Sequence, residues 1–115
     1  MQSEARQISP ADEYLLNDDL SFWGIPMPVI SMFYGVLVKL YPLDTSHRHV
    51  PHIHVAFAEH EAVYAIGTGR KLAGSLPRAK HRLVLAWIEL HGDELQANWD
   101  LAAAGLEPFR IEPLR

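Results

Sequence analysis

Between Val84 and Ala102 apolar and aromatic side chains recur at Val84, Trp87, Ile88, His91, Leu95, Trp99 and Ala102. Spacings of three and four gather on one face only in a helix. Such a stripe has to be buried against a second layer, so it dictates what the rest of the chain must supply. The spacing predicts one long helix over residues 78–104, kinked near Gly92. The alternative is two helices, with Gly92 ending the first and Asp93 capping the second. Ser75 or Leu76 is the expected cap, with Pro77 in the first turn, where a missing N–H costs nothing. Gly105 is the expected stop, and Pro108 and Pro113 keep the tail extended.

The second layer comes before the helix. Residues 29–41 are β-branched, aromatic and aliphatic and read as one strand, with Gly35 marking a bulge or a close backbone approach. Residues 42–46 are turn chemistry. Residues 52–58 and 62–66 read as further strands joined by Glu59-His60-Glu61. Gly67-Thr68-Gly69 then turns the chain, and residues 71–74 extend the meander. Links this short make the neighbours antiparallel. The expectation is therefore an α+β fold: a small antiparallel sheet of three to four strands packed against one long C-terminal amphipathic helix.

Residues 27–115 form the expected single domain, and residues 1–26 an N-terminal extension. In the extension, Ser9-Pro10 resembles a helix start and Phe22-Trp23 a docking anchor. With 115 residues, one domain is what the length allows. The chain has no cysteine, which excludes disulfides and thiolate metal sites and fits a cytoplasmic location. No apolar run is long enough to span a bilayer, so no membrane role is expected, and Met1 to Asn17 is too polar for a secretory signal.

Charge is distributed unevenly. Residues 1–26, 39–88 and 89–115 carry net −4, +4 and −4, and no acid occurs from Ala62 to Ile88. Arg48, Arg70, Lys71, Arg78, Lys80 and Arg82 are therefore the candidate binding residues, for an acidic peptide or a nucleic-acid backbone. Pairing of this basic middle with the chain's own acidic ends is the simpler reading. A pI near 5.9 argues against tight nonspecific nucleic-acid binding.

Four of the seven histidines lie within Ser46-His47-Arg48-His49-Val50-Pro51-His52-Ile53-His54. On a strand, His52 and His54 share a face, their Cα atoms roughly 6.6–6.8 Å apart. Pro51 extends Val50 and brings His49 toward the same rim. Three chemistries compete. A divalent metal would take His52, His54 and a third ligand, with Glu61 foremost and Glu59 and His81 as alternatives. Metal-free acid–base catalysis would use His49, His52 and His54, with Arg48, Arg78 or Lys80 steadying a phosphate. The structural reading has the imidazoles stacking on aromatics and bonding backbone carbonyls at a sheet–helix or partner interface. No Gly-rich phosphate loop and no nucleophile elbow is present.

Several of these stretches carry a resemblance. Met27-Pro-Val-Ile-Ser-Met-Phe-Tyr-Gly-Val, Pro51-His-Ile-His-Val55, Glu61-Ala-Val-Tyr64, Gly74-Ser-Leu-Pro77, Trp87-Ile-Glu-Leu-His91 and Asp93-Glu-Leu-Gln-Ala-Asn-Trp99 are similar to the small bacterial proteins of domain-of-unknown-function family 4160. The similarity covers residues 27–115. Val50-Pro51 stands where such proteins have a proline pair, and residues 1–26 precede their usual start. The resemblance implies a gene neighbour encoding a second small protein, as in toxin–antitoxin pairs, and it brings no activity or catalytic residues. The expected function is thus a bacterial interaction protein of a toxin–antitoxin-like pair. It would bind a small protein encoded nearby through its sheet edge and basic middle, with homodimerisation through the same edge open. The alternative is a small nuclease or phosphoester hydrolase built on His49, His52 and His54.

Overall fold

The computed structural model describes residues 28–40 and 50–115. The N-terminal extension with its expected helix and aromatic anchor lies outside the described residues, as do His47, Arg48 and His49.

The sheet has five strands rather than three or four: β1 (Val29–Phe33), β2 (Val36–Lys39), β3 (His52–Phe57), β4 (His60–Ala65) and β5 (Lys71–Ser75). They lie in chain order, each antiparallel to the next. The extra strand comes from residues 29–39, which form a hairpin and not part of one bulged strand. Tyr34 and Gly35 take φ of 50° and 82° between the paired Phe33 and Val36. Positive φ at both central residues is the reversal that matches strand twist in a two-residue loop. Gly35 is fitted to it twice over, because a Cβ there would also meet the Phe57 ring at 3.1 Å.

The helical layer is likewise split. Helices α1 (Arg78–Leu90) and α2 (Gly92–Ala103) meet at His91, whose φ −118° and ψ 26° leave the helical region. Helical bonding reaches the joint from both sides: His91 N–H donates to Trp87 C=O at 3.0 Å, and His91 C=O accepts from Leu95 N–H at 2.9 Å. The stripe therefore keeps its phase across the break. Two local causes favour the joint here. Gly92 is a poor helix former, and the His91 Nδ1–H donates to Glu94 Oε1 at 2.5 Å instead of leaving the turn unconstrained. Neither end is capped as expected. Pro77 is the N-cap of α1 and provides no side-chain bond, and His91, not Asp93, precedes α2. Asp93 and Glu94 still sit in the first turn of α2, where the helix dipole favours them. The stop at Gly105 is as expected. With φ 80°, it allows Leu106 N–H to reach Leu101 C=O at 2.8 Å and its own N–H to reach Ala102 C=O at 3.0 Å, closing the last turn.

One face of the sheet packs on the helices. Phe33, Val36, Val38, Ile53, Val55 and Tyr64 meet Val84, Trp87, Ile88 and Leu95 in a single core. Trp87 is its centre: its ring lies 5.4 Å from Phe33, and its Nε1–H donates to Glu112 C=O at 2.8 Å. That bond holds the C-terminal segment, which is also tied by Ile111 N–H to Ile30 C=O (2.8 Å) on the outer edge of β1. Asn98, buried on α2, donates to Phe109 C=O at 2.7 Å and accepts from Phe109 N–H at 2.8 Å.

Candidate functional site

Strand alternation sends the neighbours of the core residues to the opposite face. There the register aligns Lys39, His54, Val63 and Ala73 across β2, β3, β4 and β5 in one row. All four are buried, His54 at 0% and Lys39 at 3% exposure. Val63 and Ala73 form an apolar cluster of their own with Leu72. His52, 1% exposed, lies opposite Ala65 on the same face.

The two histidines come together as the spacing implied, with ring centroids 5.2 Å apart in an edge-on arrangement. The indole of Trp99 sits 5.2 Å from the other side of His52. The His52 Nδ1–H donates to Val50 C=O at 2.7 Å, which fixes the orientation of the ring. Pro51 shapes that loop, and its own C=O accepts from Ile66 N–H at 2.9 Å. The pair is thus held by an aromatic, a backbone carbonyl and a buried strand row. Glu61 lies on the same face but pairs with Ala56, one row along from His54. Among the described residues no three of His, Asp and Glu converge to hold a metal, so His52, His54 and Glu61 do not form one centre.

The basic candidates separate into two groups. Arg70 and Lys71 are exposed at the start of β5, and Arg78 and Arg82 are exposed on the first turns of α1, just beyond its end. The five residues of β5 span about 17 Å. The two groups therefore bracket the edge strand and do not form a single patch. Lys80 is occupied inside the fold. Its Nζ donates to Tyr34 C=O at 2.8 Å and lies 4.7 Å from the centre of the Phe57 ring, joining α1 to both neighbouring hairpin tips.

Other histidines are also structural supports. The Tyr64 hydroxyl and His81 Nδ1 share a hydrogen bond of 2.8 Å with the rings stacked, and burial pushes the phenol up to about 12. His60 stacks on Phe57 with an interplanar angle of 17° and keeps its outer side in solvent. His91 packs on Trp87, centroids 5.5 Å apart, one helical turn along.

Sequence reasoning missed Lys39, Asn98 and the Tyr64–His81 pair. Lys39 sits at the end of a β-branched run, where a lysine reads as the strand's exit into solvent. Only the register, which sets it opposite His54, reveals the burial. Asn98 falls one position from the Trp99 of the stripe, and its role depends on a tail whose course a helical pattern does not encode.

No helix among the described residues is long and apolar enough to cross a membrane. No curated protein matches the chain, and no solved structure does. The sequence model of one family, described as Domain of unknown function (DUF4160), matches residues 35–100, from the turn of the first hairpin through most of α2. The chain belongs to that family.

Proposed function

We propose that this protein is a bacterial interaction module that takes an acidic segment of a small partner protein as an added strand on β5. The observation carrying this reading is the contrast between the two sheet edges. The outer edge of β1 is bonded to the chain's own C-terminal segment through Ile111, whereas among the described residues nothing pairs with the outer edge of β5. That edge has cations at both ends, Arg70 and Lys71 at its start and Arg78 beyond its end, and no acid between. An extended acidic peptide gains main-chain hydrogen bonds from the strand and charge complementarity from its flanks. The partner is a small protein encoded beside this one, in a toxin–antitoxin-like arrangement.

The burial of His52 and His54 supports this reading over a phosphoester hydrolase, since a general acid or base must reach its substrate. The test is co-expression with the neighbouring gene product. The pair should co-purify, and reversal of the edge charges (Arg70→Glu with Lys71→Glu) should abolish co-purification while leaving the protein folded. The double variant His52→Ala, His54→Ala addresses the competing chemistry. Loss of RNA cleavage or toxicity in that variant, with partner binding intact, would overturn the interaction reading.

A further inference from the structure

The sheet face opposite the main core is buried, yet the described elements supply little to bury it. Lys39, His54, Val63 and Ala73 cross it in one row and are all buried. Helix α2 touches this face at His52, through Trp99. Neither helix contributes to the Val63–Ala73 cluster, whose packed neighbour among the described residues is Leu72. An antiparallel sheet covered on one side turns its other side to water. Here the other side is closed, so a further length of chain lies over it.

That cover has two chemical requirements. Lys39 carries an ammonium into a site almost without access to water, and a buried charge is costly without a countercharge. Glu61, which β4 places on the same face, lies two strands across and one row along. Val63 and Ala73 require apolar atoms above them. The cover is therefore acidic and carries large apolar side chains.

Two lengths of chain outside the described residues adjoin this row, 1–27 and 41–49. Residues 41–49 hold Asp44 against Arg48 and two histidines, the wrong balance for a lysine. Residues 1–27 hold Glu4, Asp12, Glu13, Asp18 and Asp19 against Arg6, followed by Phe22 and Trp23. They also enter the sheet beside Lys39. Val29 pairs with Lys39, and Leu40 N–H donates to Pro28 C=O at 3.1 Å. From there β4 is three strand spacings away, roughly 14 Å. The extended chain from Trp23 to Pro28 spans roughly 17 Å, enough to bring the aromatic pair over Val63.

We propose that residues 1–27 are the second layer on this face. Phe22 and Trp23 seat over Val63 and Ala73, and the acids nearest that pair, Asp18 and Asp19, supply the countercharge to Lys39. The buried histidines are then an internal contact between the extension and the domain. The β5 edge plays no part in this contact.

The full chain tests the proposal by zero-length crosslinking. A water-soluble carbodiimide joins a lysine amine to a carboxylate in contact with it, with loss of water. Cyanogen bromide then cleaves after Met27 and Met32, which separates Lys39 from every acid of the extension. In the monomer, fragments 2–27 and 33–115 should stay joined, with the link mapped to Lys39 by mass spectrometry. A link from Lys39 to Asp44, a link that maps only to another lysine, a link found only in covalent dimers, or no link would overturn the proposal. The double variant Phe22→Ser, Trp23→Ser gives a second readout. With its circular dichroism retained, His54 should react with diethylpyrocarbonate about tenfold faster than in the parent chain. An unchanged rate would also overturn the proposal, and if the variant does not fold the crosslink decides alone.

Discussion

Ala58 occupies a backbone conformation that suits glycine. It sits in the two-residue turn between β3 and β4 with φ 52°, in the left-handed region. A Cβ there costs roughly 1–2 kcal/mol, against about 0.5–1 kcal/mol for the added unfolded-state entropy of glycine. Ala58→Gly should therefore stabilise the protein by up to about 1 kcal/mol, seen as a rise of several degrees in a thermal melt. Tyr64 makes a different prediction. Its ordinary value is 10.0, and burial raises it to about 12 in the folded protein. Between these values the native state holds the proton and the unfolded state has lost it, so stability falls as pH rises through that window. Urea melts from pH 9 to 12 should show this loss in the parent chain, and Tyr64→Phe should reduce it. An identical pH profile for the two proteins would show that the phenol is not buried as described. At this scale the sequence was readable where a residue's neighbours in the chain decide its role. The spacing of His52 and His54 placed both rings on one side, and the spacing of Trp87 and His91 placed them on one helix face, where they touch. Lys39 was not readable, because its burial arises from a cross-strand partner at a distance in sequence.

Among the elements, the helical stripe carried most of the information and the boundaries carried least. The face running from Val84 to Ala102 is the one that packs on the sheet, and it keeps its phase although the helix does not remain continuous. A periodicity argument registers phase, so it was insensitive to the break at His91. Gly35 was recognised as exceptional, but a bulge and a tight reversal both call for glycine. The distinction rests on Tyr34, a residue type with no preference for positive φ. The C-terminal segment is anchored to α2 chiefly by Asn98. Replacing Asn98 with alanine removes both bonds to Phe109 and leaves a backbone N–H and C=O without partners. The expected cost is about 2–4 kcal/mol in chemical denaturation, with early loss of protection at residues 109–111 in hydrogen exchange. A cost below about 0.5 kcal/mol would mean that water replaces the clamp.

For the molecule as a whole, the two sheet edges and the two sheet faces are used differently. The helix-covered face is apolar and continuous, and its composition made the α+β class legible. The opposite face buries Lys39 and His54 in one cross-strand row and His52 beside it, a placement that the histidine-rich motif hinted at and the alternation rule explains. The chain ties the β1 edge to its own tail at Ile30 and leaves β5 bracketed by cations, which is why β5 is the edge proposed for association. The short strand and the Lys71 at its start limit indiscriminate edge pairing, which leaves charge to select the partner. Hydrogen–deuterium exchange on the full chain, alone and with the small protein encoded beside its gene, measures this assignment directly. The amides of residues 71–75 should exchange more slowly in the mixture, and the effect should vanish with Arg70→Glu and Lys71→Glu. Unchanged exchange across β5 alongside new protection elsewhere would contradict the account.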